Sequence, residues 1–330
     1  MCPDNPLLIL ILGLLAAIVA AVVAYVLNKG NVSVAVLSIS VDFVQVLAIF
    51  AKSRVQFPPL IRSVLQVFSA FNLNLELVAP ECSVPDLDYR FKWFAVVLLP
   101  LGAAILFLFM HVYLIVYKYC WLQRRGDKVY RHAPNLLSAG LTAAYFMYLF
   151  EVRSVFDIFS CSPTTPPDGR VYMQSVFVPC WDQGSMQMQL FPWALVFTFV
   201  YAIGFPAVMG YIMWIGRDAF PEYLFHLANG SQFDKRFERQ AYSLSKTFRR
   251  LVYFFKPRYF YWILIIIARK ALVAVTALFF QRNPALQMSM ALLVLFVAYT
   301  LQVVYNPFMS ESDKDEVAEA WLRRKDNKMH

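Results

Sequence analysis

The chain has 330 residues, of which 60% are hydrophobic and only 15% charged, against about 45–50% and 25% in a soluble domain. The apolar residues run in stretches of roughly 20, the length that crosses a bilayer, which excludes an ordinary soluble globular fold. The net charge of +9 falls in the loops between these stretches, which excludes a basic stripe for nucleic acid.

The fold class is therefore read as all-α, a polytopic transmembrane helical bundle. Residues 1–6 are the end of an extracellular segment, 7–306 the membrane domain and 307–330 a tail helix. About seven spans are predicted, at 7–27, 32–51, 91–117, 136–159, 191–216, 259–281 and 285–305. The first lacks a basic n-region and a small-residue cleavage site, so it reads as a retained span and not a signal peptide. The second alternates like a strand near Ser33, Ser38 and Ser40, but an open strand in lipid leaves its backbone unsatisfied, so helix is expected. On that helix Ser38, Asp42 and Gln45, spaced four and three, share one face.

Pro58 and Pro59 open a semi-amphipathic stretch, 57–78, in which Leu60, Val64, Leu65, Val67, Phe68 and Phe71 alternate with Arg62, Ser63, Gln66 and Ser69. Two readings stay open for it, an interfacial helix or a re-entrant element. Pro100 interrupts the third span, and Gly204 with Pro206 favours a kink in the fifth. Glu151, Arg153 and Asp157 form a polar cluster at the end of the fourth.

In the loop before the sixth span, Phe233, Phe237, Leu244, Phe248, Leu251 and Phe255 recur at helical spacing within 232–256. Lys235, Arg236, Arg239, Lys246, Arg249 and Arg250 fill the other faces. Such a basic amphipathic helix suits anionic inner-leaflet lipids or a calmodulin-like protein. The sixth span carries Arg269 and Lys270 at its centre, where each cation costs about 2.5–3.5 kcal/mol and lies too deep to snorkel. Asp42, at matched depth, is the expected counter-charge. In the tail, Ser310 is the expected cap, acids at Asp313 and Glu316 follow, and Arg323, Arg324 and Lys325 close the helix.

Lys and Arg set the orientation. Lys118, Arg124, Arg125, Lys128 and Arg131, nine basic residues from Arg217 to Arg258, and the basic tail are all placed inside by an N-terminus outside and a C-terminus inside. The same topology puts Cys82, Cys161 and Cys180 outside, where disulfides form. Cys161 and Cys180 share one Pro-rich loop and are expected to pair. No CxxC occurs and the four histidines, His111, His132, His226 and His330, lie far apart. No metal site or cofactor is therefore expected. No nucleophile–base pairing stands out either, so no catalytic residue is assigned and an enzyme is not expected.

In combination these motifs resemble the membrane region of large protist and algal surface proteins with ephrin-receptor-like cysteine-rich ectodomains. That region is itself distantly similar to fungal transient-receptor-potential-like membrane proteins. The residues that carry the likeness are Phe43 to Leu47, Phe57-Pro-Pro59, Phe71 to Leu75, Pro80-Glu-Cys82, Tyr148 to Glu151 and Phe159-Ser-Cys161. They continue through Cys180-Trp-Asp182, Tyr201 to Pro206, Arg269-Lys270 and Tyr305 to Phe308. The resemblance implies a receptor-like anchor in the plasma or ciliary membrane, with an ectodomain before Cys2 and extracellular filament or matrix proteins as partners. The alternative is an ion channel or transporter subunit similar to the transient-receptor-potential proteins. A pore of that type needs a re-entrant loop between the last two helices, and Arg282-Asn-Pro284 leaves no room for one. A seven-span receptor coupled to G proteins is a third reading; it lacks an Asp/Glu-Arg-Tyr motif after the third span.

Overall fold

The computed structural model describes residues 58–61, 64, 88–121, 130, 133–164, 166–173, 175–228, 247–248, 251–280, 283–310, 313 and 319. The predicted spans 7–27 and 32–51 lie outside them. Of the 57–78 stretch, residues 59–61 and 64 are helical and exposed.

Helices α1 (Tyr89–Val97) and α2 (Leu99–Cys120) replace the single predicted span 91–117. Pro100 lacks an N–H and crowds the residue before it, so the helix breaks at Leu98. Helix α3 is Ala133–Phe156 and closes in a 3-10 turn, Asp157–Phe159. Strands β1 (Cys161–Pro163) and β2 (Val171–Met173) then form an antiparallel hairpin with Cys161 opposite Met173.

Helix α4 (Met186–Thr198) runs through a π turn, Phe199–Gly204, into α5 (Phe205–Ile215). The π turn sits just before Pro206, which has no N–H for the regular ladder; the expected kink is a change of helix type. After α6 (Ala219–Ala228), a 3-10 turn at Pro257–Tyr259 leads to α7 (Trp262–Phe279) and α8 (Pro284–Tyr305).

Among the described residues, four helices are long and apolar enough to cross a membrane: α2, the continuous Met186–Ile215, α7 and α8. Helix α3 has 24 residues but is not one of them, because Ser138, Thr142, Glu151, Arg153 and Ser154 make it more polar.

The chain falls into two compact units. The first comprises Met1–Leu98, Leu149–Thr198 and Leu272–Leu292, and the second Leu99–Tyr148, Phe199–Ala271 and Leu293–His330.

In the first unit, the Asp88 side chain caps α1 and α1 packs on α4. Trp93 is buried and its Nε1 donates to the Ser154 carbonyl, 3.0 Å away. That carbonyl lies in the last turn of α3, where no intrahelical N–H reaches it. The Trp93 ring also meets Phe197 edge-on at 6.0 Å. Asn283 accepts from the Leu286 N–H and so caps α8, with Pro284 at its first position.

In the second unit, Phe220 is fully buried and its ring meets those of Phe248 and Phe260, each 6.2 Å away. Gly216 is required there, since a Cβ would lie 2.1 Å from the Phe220 ring. Phe248 and Leu251, of the predicted basic amphipathic helix, are both buried. That helix also stops short of residue 256: Tyr253 and Phe254 form a turn, and Phe255 pairs as an isolated β-bridge with Phe308.

Candidate functional site

Lys270 is the largest polar side chain buried in α7. Ile263, Ile267, Lys270 and Ala274 are all buried at spacings of four, three and four. The sequence thus places a cation inside the seam that packs the helix, where a hydrocarbon side chain would be ordinary. The Lys270 Nζ lies over the Tyr145 ring of α3, 4.0 Å from its centroid. The negative face of the ring stabilises a desolvated ammonium by about 2 kcal/mol. Arg269, one position round the helix, is half-buried. The proposed counter-charge Asp42 and its neighbours Ser38 and Gln45 lie outside the described residues.

The second polar group is spread around its helix. Glu151 faces inward at 1% exposure, while Arg153, two positions on, is half-buried on another face. Neither oxygen of Glu151 and not the Nη1 of Arg153 has a hydrogen-bond partner among the described residues, so the two do not pair. A buried carboxyl without hydrogen bonds is the costliest kind of polar burial. Asp157 falls beyond α3, in the 3-10 turn.

A disulfide joins Cys161 to Cys180. It staples the hairpin that follows α3 to the segment that leads into α4. The Cys180 N–H donates to the Val171 carbonyl and the Met173 N–H to the Val178 carbonyl, which adds a third short leg to the hairpin. Gln187, fully buried in the first turn of α4, accepts from the Trp181 N–H at 3.2 Å and donates to the Ile158 carbonyl at 3.3 Å. One amide thus holds both ends of the stapled loop. Phe177 and Trp181 adopt left-handed backbone conformations at φ 56° and 65°, unusual for bulky residues and a mark of a constrained loop. Both rings stay exposed; Phe177 stacks on Tyr172 at 4.7 Å. The Tyr172 hydroxyl donates to Asp168, which also accepts from the Arg170 N–H. These two donors hold the Asp168 carboxyl below the usual range, and Asp168 in turn raises the Tyr172 phenol.

Sequence reasoning missed Tyr145 and Gln187. Tyr145 gives a weak signal, an aromatic at depth in a helix whose Gly140, Ala143 and Ala144 fall on another face. Gln187 gives none, because a polar residue near a helix start is expected to face solvent.

Among the described residues, no group of three or more His, Cys, Asp and Glu side chains is placed to hold a metal ion. Lys235, Arg236, Arg239, Lys246, Arg249 and Arg250 lie outside the described residues. Compared with known protein families, curated proteins and solved structures, the chain matches none.

Proposed function

We propose that the chain is the membrane region of a receptor-like surface protein. In this reading it anchors an extracellular module and couples it to the cytoplasm through a packed helical bundle, with its N-terminus outside and its C-terminus inside. The observation that carries the reading is the connection between α7 and α8. Only residues 280–283 separate the two helices, too few for a helix and filter to dip into the bilayer between them. The stapled hairpin supports it further, since a disulfide-braced loop fits an oxidising exterior.

An ion channel or transporter similar to the transient-receptor-potential proteins is the second reading, and buried Lys270 favours it, because ionisable groups at bilayer depth often mark a conduction path. Recordings from the full chain reconstituted in planar bilayers separate the two. An anchor gives no conductance in the parent and none in Lys270→Ala. A parent current that changes in Lys270→Ala would overturn the anchor and establish the path.

A further inference from the structure

The apolar segment Met186–Ile215 has 30 residues, about 10 more than a hydrocarbon core needs. Shared between its ends, that excess leaves roughly five residues of each end among lipid headgroups. The sequence at the first end agrees, because Gln187 and Gln189, the only side-chain amides of the segment, both fall in its first four positions. Arg90 of α1 donates to the Gln189 side chain and stays exposed, so a guanidinium stands at the same level. The sixth position, Phe191, is therefore where headgroups give way to hydrocarbon.

Trp181 reaches this level from outside the helix. Its ring meets Phe191 edge-on at 5.5 Å, and Phe191 meets Phe159 in the same way at 5.5 Å. Despite these contacts the Trp181 ring is exposed. Its position is fixed from three directions. The backbone is left-handed at φ 65°, its N–H is held by the buried amide of Gln187, and the preceding residue, Cys180, is in the disulfide. Trp93, which is buried, donates its indole N–H to a carbonyl; the indole N–H of Trp181 has no acceptor among the described residues.

We propose that Trp181 anchors the stapled loop to the bilayer, with its ring at the boundary between headgroups and hydrocarbon and its N–H on a headgroup oxygen. An indole suits that boundary, since one end of it is apolar and the other is a hydrogen-bond donor. Arg90 adds a cation that meets lipid phosphate at the same depth. The loop between α3 and α4 thus rests on the membrane surface at its Trp181 end and does not stand free in water. The proposal rests on the reading of Met186–Ile215 as a membrane span.

The test uses the full chain in phosphatidylcholine vesicles. The lipid carries a nitroxide quencher either near the glycerol backbone or near the acyl terminus, and iodide is the quencher in water. The fluorescence that Trp181→Phe removes is the part due to Trp181, and the substitution keeps an aromatic ring beside Phe191. That part should be quenched about twofold more by the shallow nitroxide than by the deep one, and only weakly by iodide. Trp193, exposed two positions beyond Phe191, supplies the control through Trp193→Phe. Its part should respond to the nitroxides wherever the loop stands. Strong iodide quenching of Trp181, with lipid quenching confined to Trp193, would put the loop in water and overturn the proposal. Protection of Trp181 from iodide and from both nitroxides would overturn it in favour of a protein that covers the ring. Strongest quenching by the deep nitroxide would overturn it by placing the ring in the hydrocarbon. If neither tryptophan responded to lipid, the proposal would fall together with the membrane reading, whereas a response of Trp193 alone leaves that reading standing.

Discussion

Two short non-helical braces hold helix ends in this molecule, and they are built from opposite materials. The hairpin around Cys161 and Cys180 is fixed by a covalent bond and by the buried amide of Gln187. The brace around Phe255 and Phe308 has no covalent link. There the Lys256 N–H donates to the Pro307 carbonyl, the Met309 N–H donates to the Phe254 carbonyl, and the two Phe rings meet at 5.5 Å. An ion pair of Lys256 with Asp313, 3.2 Å apart, lies over it. The first brace keeps its covalent link whatever surrounds it; the second lasts only as long as apolar burial excludes water from its backbone hydrogen bonds.

Four substitutions or conditions break or sharpen the contrast. The largest effect is expected from Phe255→Ala. Its ring is 1% exposed, and deleting a buried Phe costs about 3–5 kcal/mol. Thermal unfolding in detergent would show it, with the 254–309 segment losing hydrogen-exchange protection first. Next comes Cys161→Ser, which opens a loop with a sequence separation of 19 and removes roughly 3 kcal/mol. Reductant should lower the unfolding temperature of the parent and leave that of the variant unchanged. If Phe255→Ala and Cys161→Ser gave equal losses of protection in both braces, the two would not be independent.

Gln187→Ala leaves the Trp181 N–H and the Ile158 carbonyl without their shared partner, at about 1–3 kcal/mol. Hydrogen exchange at Trp181 measures it, and with the disulfide intact the hairpin should remain closed. The smallest effect is pH. The N–H and hydroxyl of Ser310, then Lys256, hold the Asp313 carboxyl below its usual range. The contribution of Asp313 is therefore complete above the unfolded carboxylate value of about 4 and is lost as pH falls through the lower folded value. Acid should loosen the Phe255 brace by about 1 kcal/mol or less, and Asp313→Asn should abolish that dependence. Asp168 titrates in the same direction on the hairpin, where the disulfide keeps the loop closed.

The parts legible in the sequence were those set by length, period or backbone chemistry. Long apolar runs gave α2, α7 and α8, Pro100 and Pro206 marked places where the regular helix ladder fails, and Ser310 was legible as a cap; its reciprocal hydrogen bonds with Asp313 came only with the structure. What was not legible depends on which of two apolar surfaces a helix turns to protein. Helices α2 and α7 are both hydrocarbon over most of their length, yet none of α2 is buried while α7 carries a buried seam. In lipid, hydrophobicity no longer separates inside from outside, so the apolar pattern alone does not tell the two surfaces apart. The role of Tyr145 escaped for a similar reason, because a cation–π contact leaves no spacing pattern in a sequence. The apolar stripe through Phe248, Leu251 and Phe255 was legible, and those three residues are buried; amphipathic periodicity shows that a face is covered, not what covers it.

The disulfide has one more consequence, for a protease. Residues 162–179 lie between its two cysteines, and the exposed turns around Gly169 and Phe177 are there for an enzyme to reach. A single cut anywhere in that interval severs the backbone and leaves α3 and α4 covalently joined. The nicked protein would run as one species until it is reduced and as two afterwards.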